Sequence, residues 1–479
     1  MVATEGDRQG RPDRFGSRWL ARATVTALAA ALLAMPARPA AGAPAATGLL
    51  ADDVSFKSGD LVLHGTIWAP DGPSRPRPGI ALVHGSGPGP RTAYELEAQA
   101  FARAGIVTLA YDKRTVGYSM LDRDYGLLAR DAVAAVRLLR SHPGVDPNLV
   151  GLWGESEGTW VVPLAAAGSP DVAFVILVGA SGVTPSRQQA WFLGNWLRRS
   201  GVSGSMVTSM SINGMRLAVS AGVFPEADFD AVASLRRLRQ PVLALWSGRD
   251  YSHPPAEASR ILQEAFDSGG NGRYTIRFLP DADPGLHRTT DGYDRLDGLA
   301  PGSVDLVSTW VAAVAAGAPP GPSVETAPQQ DRESSALTPS RWYESATTQL
   351  LVIVITLAAF AGALLAGIVR RVRRQSRAVT WPARLLAVSG PISVFGLAAY
   401  LLWILVLGPP GPVVASRPVP WLALQALAAL TVILTGMVAV LWWRGPSRPG
   451  LAESSRLGLL VAGGVLGTLF AAYWGLLVP

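Results

Sequence analysis

Three kinds of side chain in this 479-residue chain have the type and spacing for nucleophilic acyl chemistry: a serine set between glycines, a few histidines, and carboxylates at strand ends. The serine is Ser156 in Gly154-Glu155-Ser156-Glu157-Gly158, directly after the apolar run Leu149-Val150-Gly151-Leu152-Trp153. Between a strand and a helix, such a pentapeptide forces a tight turn that lifts the hydroxyl above the sheet edge, and the glycines keep side chains out of that turn. Taken alone, the pattern also describes an ordinary glycine-rich turn. A second feature supports the chemical reading. Pro78 to Val83 reads as a buried strand that opens into His84-Gly85-Ser86-Gly87-Pro88-Gly89, a loop whose backbone amides can face a developing oxyanion. The loop also resembles a dinucleotide-binding glycine pattern, but Pro88 and Pro90 remove amides where a helix N-terminus would have to cradle phosphate.

A serine nucleophile at neutral pH needs a base beside it and a carboxylate that fixes the base's tautomer. Of the five histidines, His64 lies in an early strand, His84 in the glycine loop and His142 at a helix end, all badly placed for the base. His253 and His287 remain, the first just after Trp246-Ser247-Gly248-Arg249-Asp250 and the second in the loop after the last strand. Asp250 ends the strand Val242 to Trp246, where a carboxylate can reach the following loop, although a solvated turn aspartate would look the same. The absence of cysteine excludes disulfides, thiolate metal sites and a thiol nucleophile. No His/Asp/Glu cluster has ligand spacing, so neither a metal nor a cofactor is expected.

The elements that must position these groups alternate. A hairpin over Val54–Lys57 and Leu61–Trp68 comes first, then strands at Ile80–Val83, Ile106–Tyr111, Leu149–Trp153, Ala173–Val178, Pro241–Trp246 and Tyr274–Leu279, separated by helical or loop sequence. This rhythm predicts an α/β fold, a mostly parallel sheet covered on both faces, closed by a helix over Ser303–Ala315. Residues 183–240 interrupt it and are expected to form a helical lid; its Met and aromatic residues either line an acyl pocket or, more commonly, pack the lid to the body. Residues 317–347, rich in Pro, Ser and Gln, are expected to be a flexible tether.

Residues 44–369 carry 26 Lys+Arg against 31 Asp+Glu, so the formal +7 of the whole chain arises at the N-terminus and in C-terminal loops. That distribution speaks against nucleic acid as a partner, and the preference for arginine over lysine reads as bacterial codon usage. Arginines through Arg22, an apolar stretch Ala23–Met35 and Ala41-Gly42-Ala43 suit a signal peptide over residues 1–43, with an uncleaved signal anchor as the competing view. Four apolar runs of spanning length follow at 348–369, 385–407, 421–443 and 457–478. Arginines crowd the first and third breaks between them while Arg417 alone marks the second, which puts those two breaks in the cytoplasm and residues 44–347 outside. The runs contain no charged residue or histidine, so a membrane anchor is favoured over a transporter.

Taken together, His84-Gly85-Ser86-Gly87, Tyr111-Asp112-Lys113-Arg114 with Gly117 and Ser119, Gly154 to Gly158, and Gly248-Arg249-Asp250 resemble the α/β-hydrolase superfamily, in particular its secreted bacterial esterase and dienelactone-hydrolase-like branches, over roughly residues 50–316. The resemblance implies an α/β-hydrolase fold followed by an all-α transmembrane bundle. It implies Ser156 as nucleophile, Asp250 as acid and His287 as base, with the backbone amides of Ser86 and Glu157 as oxyanion hole. The chain departs from the family in that Pro284 follows Ala282-Asp283 and His287 comes three residues later, and in Thr115 and Thr159, where relatives have small residues. The implied activity is cleavage of a carboxylic ester from a small-molecule or lipid-like acyl substrate beside the bilayer. Acyl transfer, thioester cleavage or aminopeptidase action through the same triad is the first alternative, and a degenerate hydrolase fold acting as a binding module is the second.

Overall fold

The computed structural model describes residues 48–72, 75–337, 341–373, 380–444 and 450–478; the expected signal peptide lies outside them. The chain opens with β1 (Leu49–Ser58) and β2 (Leu61–Pro70), an antiparallel hairpin that turns at Gly59-Asp60. There follow β3 (Arg77–Val83), β4 (Val107–Tyr111), β5 (Val145–Glu155), β6 (Val175–Val178), β7 (Val242–Ser247) and β8 (Tyr274–Leu279). A small hairpin of β9 (His287–Thr289) and β10 (Arg295–Leu299) and the short β11 (Ser323–Val324) come last. The main sheet runs β1-β2-β4-β3-β5-β6-β7-β8-β11; only the β1/β2 and β2/β4 pairs are antiparallel. Strands buried on both faces must be apolar throughout rather than alternating, and Val-Ile-Leu-Val of β6 and Val-Leu-Ala-Leu-Trp of β7 meet that demand with every residue buried.

One face is covered by α1 (Glu95–Arg103) and, later in the chain, Ser303–Ala315, through Phe101, Val307, Trp310 and Val311. The other is covered by α2 (Tyr125–Arg140) and α3 (Gly158–Gly168), joined by Pro255–Gly269, through Val136, Leu139, Trp160, Val161, Leu262 and Phe266. Asp124 starts α2 by accepting the Leu127 amide at 2.8 Å, which satisfies one of the amides a helix start leaves free. Arg114, just past β4, makes a bidentate pair with Asp131 on α2, both bonds 2.6 Å and buried, tying the sheet edge to that helix.

After β6 the chain makes α4 (Pro185–Arg199), α5 (Ser205–Thr208), a π-helical turn (Ser209–Gly214), α6 (Met215–Ser220) and α7 (Ala231–Leu235) before returning to β7. Pro255–Gly269 is α8 and Ser303–Ala315 is α9. The chain ends in α10 (Ala346–Val372), α11 (Trp381–Leu407), α12 (Val419–Arg444) and α13 (Leu451–Tyr473). All four are long and apolar enough to cross a membrane. Small residues bring them together: a Cβ on Gly390 would fall 2.2 Å from the Phe360 ring and one on Gly464 2.1 Å from Thr435 Oγ1. At one end of the bundle Glu453 pairs with Arg370 and Arg456.

At the other end sits the segment between β6 and β7, the expected lid. Leu197, Val202, Met206 and Met210 share one apolar core with Tyr400, Trp421, Phe470 and Trp474. Ser209 Oγ donates to the Trp474 carbonyl at 2.5 Å and Asn213 Nδ2 to that of Tyr473 at 3.0 Å, capping the last turn of α13. Lid methionines 206 and 210 therefore pack against the bundle. The stretch 317–347 departs from the free tether its composition suggested. Ser323–Val324 adds to the sheet beside β8, Glu325 accepts the Phe278 amide at 2.9 Å, and Gln330 Oε1 accepts the Ala256 amide at the start of α8 at 3.1 Å. Ser334 bonds Glu257 at 2.7 Å and accepts from Arg187 at 2.7 Å. Proline and serine content reports the lack of an apolar core, and these attachments are polar and individually placed.

Candidate active site

Ser156 stands at the C-terminal end of β5 with φ of 50°, a left-handed conformation that costs a non-glycine residue roughly 1–2 kcal/mol. The surroundings hold it there. Its amide donates to the Val178 carbonyl at 3.0 Å, and its own carbonyl accepts the Thr159 amide (2.9 Å) and hydroxyl (2.6 Å). Both flanking glycines are needed for close approach, since a Cβ on Gly154 would lie 2.6 Å from the Gly158 carbonyl oxygen, and one on Gly158 2.6 Å from that of Val83. Ser156 is half-buried, and its hydroxyl has no hydrogen-bond partner among the described residues.

The loop after β3 lies against this turn; the ideal Cβ position at Gly85 is 3.5 Å from Ser156 Cβ. Buried His84 anchors it by bonding the Tyr111 carbonyl at 2.6 Å, and burial depresses its pKa to about 3, so it stays neutral and Nε2–H donates. The Gly85 amide donates to Tyr94 Oη and the Gly87 amide to Tyr118 Oη, each at 3.1 Å. The amides of Ser86 and Glu157 make no hydrogen bond among the described residues. The Glu157 side chain is fully buried and accepts from Lys113 Nζ at 2.6 Å, Tyr118 Oη at 2.8 Å and Ser86 Oγ at 3.3 Å, with Arg123 Nη1 at 3.4 Å.

Two buried histidine–carboxylate pairs lie on either side of the elbow. Asp250, in the turn after β7, accepts the Ser252 and His253 amides at 2.8 Å each, and its second oxygen is 3.2 Å from His253 Nδ1. The His253 ring packs over Gly179, beside the Val178 carbonyl that holds Ser156, and its Nε2 is buried without a partner. His287, on β9, has Nδ1 3.1 Å from the Gly285 carbonyl and 3.7 Å from Asp283, and Nε2 3.2 Å from Glu97 on α1. Burial opposes charge on His287, but the Asp283 and Glu97 carboxylates outweigh it and raise its pKa. Burial raises Glu97 to about 7, with the His287 charge pulling it back. Around this pair, Arg295 Nε bonds Asp283 at 2.9 Å and Tyr94 Oη donates to Glu155 at 2.5 Å. An ideal Cβ on Gly285 would fall 2.9 Å from Glu155 Oε1, so the His287 loop reaches the residue just before Ser156.

The strand order, with two antiparallel strands at one edge and a serine in a left-handed turn after the fifth strand, decides the architecture. The fold is that of an α/β-hydrolase. No family model matches the chain. The α/β-hydrolase region is similar to Esterase EstD of Thermotoga maritima, 26% identical over 254 residues, 48% of this chain and 59% of that protein. It is also similar to Thiohydrolase apmlB of Arthrinium phaeospermum, 32% identical over 134 residues, 27% of this chain and 43% of that protein. Polyketide transferase ATR5 of Stachybotrys chlorohalonatus is 36% identical over 132 residues, 26% of this chain and 43% of its own. The chain thus spans 43–59% of the length of these three relatives. Among solved structures it is similar to 2,6-dihydroxy-pseudo-oxynicotine hydrolase, at 16% identity and TM-score 0.41 over 57% of this chain and 71% of that one. The dienelactone hydrolase of Anabaena variabilis is similar at 20% identity and TM-score 0.34, over 56% of this chain and 96% of its own.

In this fold the expected site residues fall as follows. Ser156, Ser86 and Glu157 meet at the ends of β5 and β3. Asp250 is bonded to His253 and not to His287, because the two lie three residues apart in the turn entering α8 and the carboxylate caps its own turn. His287 lies on a hairpin, not in a plain loop, and faces Glu97 and Asp283. Sequence reasoning missed Glu97, Asp283, Lys113 and Tyr94. Lys113 left a visible trace, as one of two lysines in the chain and a member of the Tyr111–Arg114 motif, and Asp283 another, as part of the Ala282-Asp283 pair ahead of His287.

Proposed function

We propose that the chain is a membrane-tethered, exocytoplasmic serine hydrolase that cleaves carboxylic esters through an acyl-enzyme on Ser156. The observation that carries this reading is Ser156 itself, held at positive φ with a free hydroxyl beside the two free amides of Ser86 and Glu157. Attack of Oγ on the ester carbonyl forms a tetrahedral oxyanion in reach of those amides; collapse expels the alcohol, and water then releases the acid. His287 takes the Ser156 proton and returns it to the leaving alcohol, with Glu97 and Asp283 stabilising the imidazolium. For this step the His287 ring must give up its Nε2 contact with Glu97 and turn toward Ser156 when substrate binds. A second reading makes His253 the base, and the 3.2 Å Asp250–His253 contact and the unpartnered Nε2 favour it. The thiohydrolase and the polyketide transferase among the relatives support a wider leaving-group range that includes thioesters.

Charge supports the exocytoplasmic side. Arg370, Arg371, Arg373, Arg444 and Arg456 lie at the bundle end remote from the lid, in keeping with a cytoplasmic end there and a hydrolase region outside. The test is fluorophosphonate labelling and p-nitrophenyl ester turnover by the full chain in nanodiscs. Labelling lost in Ser156→Ala and turnover lost in His287→Ala but kept in His253→Ala is the expected result. An unlabelled wild type would end the hydrolase reading, and the reverse histidine pattern would move the base to His253.

A further inference from the structure

The buried Lys113 lies against the loop that packs on the Ser156 turn, and its contacts describe a device for aiming an amide of that loop. Lys113 Nζ donates to the Gly85 carbonyl at 2.7 Å, to Tyr118 Oη at 2.7 Å and to Glu157 Oε1 at 2.6 Å. The Gly85 carbonyl belongs to the same peptide unit as the Ser86 N–H. In a planar trans peptide those two groups point in opposite directions, so a carbonyl fixed on Lys113 turns the Ser86 N–H away from it. The amides on either side, Gly85 and Gly87, are already engaged by tyrosine hydroxyls, which leaves Ser86 as the free donor of the loop. Through Glu157 the same ammonium also grips the residue that supplies the other free amide.

We propose that Lys113 is a positioning residue of the oxyanion hole, which aims and polarises the Ser86–Gly85 amide and, with Glu157 as its counter-charge, locks the two donors to one another. This rests on the serine hydrolase reading above. An ammonium on the carbonyl draws electron density from the peptide and makes its N–H a stronger donor, as in hydrogen-bond chains generally. The cluster also holds charge where an oxyanion would profit from it. Lys113 and Arg123 face one carboxylate, Glu157, so a positive charge is left in excess behind the two amides. Tyr118 supports the arrangement from both sides, since it accepts the Gly87 amide and lies under the ammonium with Nζ 3.9 Å from its ring centroid. Neither the Lys113 ammonium nor the Glu157 carboxylate is assigned a substrate contact; both side chains act through the backbone amides.

The experiment uses the full chain in nanodiscs with a p-nitrophenyl ester. Loss of one oxyanion donor typically reduces turnover ~10²–10³-fold. Lys113→Met is expected to lower kcat by a comparable factor, with KM within a few fold of wild type and fluorophosphonate labelling of Ser156 slowed but not abolished. Glu157→Gln gives a readout that a purely structural role would not. Burial already depresses the Lys113 pKa, and Glu157 is the main influence that raises it. Without that carboxylate the ammonium loses its proton at lower pH, and the falling alkaline limb of kcat is expected at lower pH than in wild type. The double variant Lys113→Met/Glu157→Gln removes both charges, leaves Arg123 without its carboxylate just as Glu157→Gln alone does, and is expected to be slow with no such limb. An active wild type beside a folded Lys113→Met or double variant that turns over within threefold of it would overturn the positioning role and leave the hydrolase reading intact. An inactive, unlabelled wild type would remove the hydrolase reading and this inference with it.

Discussion

Cutting the chain before α10 is the perturbation with the largest expected effect outside the site. The lid face that meets the membrane bundle includes Leu197, Val202, Met206, Val207 and Met210, none more than 4% exposed. Full burial of such a side chain contributes about 1.5–3 kcal/mol, so five of them lose roughly 7–15 kcal/mol of burial when the bundle is removed, an upper bound because the lid can partly collapse. That is comparable to the net stability of an ordinary domain, about 5–15 kcal/mol. A fragment of residues 48–345 is therefore expected to associate or to lose its lid structure. The polar contacts of Ser209 and Asn213 with α13 disappear as well. The assay is size-exclusion chromatography with light scattering, together with the fluorophosphonate labelling rate, set against the full chain in nanodiscs. Met206→Asp in the full chain is the milder form and is expected to weaken labelling without releasing the protein from the membrane. A monodisperse 48–345 fragment that melts cooperatively and labels at the full rate would refute the argument that the bundle completes the lid.

Asp131→Ala strands the buried Arg114 guanidinium and is expected to lower stability by about 3–5 kcal/mol in thermal or urea unfolding, well beyond a surface pair. Gly158→Ala pushes a Cβ toward the Val83 carbonyl and is expected to cost about 1–3 kcal/mol and to abolish labelling, because the elbow must open. Glu97 binds its proton more tightly when folded, with a pKa of about 7 against an ordinary 4.5. The folded state thus holds more protons than the unfolded state across that window, and stability falls as pH rises through it. Glu97→Gln is expected to flatten this slope between pH 4.5 and 7 in pH-dependent melting; an unchanged slope would show that Glu97 is not its source.

How much of this was legible in the sequence differs by element. The central strands announce themselves because a strand buried on both faces must be apolar throughout, as Val175–Val178 is. Ser156 and its glycines are equally visible, since a Cβ at Gly154 or Gly158 would fall 2.6 Å from a backbone carbonyl oxygen, which admits no side chain and leaves a fixed local pattern. The partners of His287 were not legible. Glu97 lies 190 positions away on a helix whose other residues read as ordinary packing, and only the three-dimensional path of the β9/β10 hairpin brings the two within 3.2 Å. Asp250 is visible as a carboxylate just past a strand, but its choice of His253 over a distant histidine depends on turn geometry. The docking of 317–347 was hidden for a related reason: single polar bonds such as Gln330 to the Ala256 amide carry no periodic signal.

The backbone of Ser156 sets stability against turnover at one position. Held at φ 50°, the residue is in a conformation that glycine adopts freely and alanine does not. Two variants that are equally dead chemically should therefore differ in robustness, with Ser156→Gly melting at or above Ser156→Ala, and both losing only the hydroxyl or Cβ of a half-buried side chain. Selection for durability alone would favour glycine here, so a serine in this turn is a standing cost carried for the sake of its oxygen. For trapping an intact substrate on the protein, the glycine form is accordingly the sounder inactive variant.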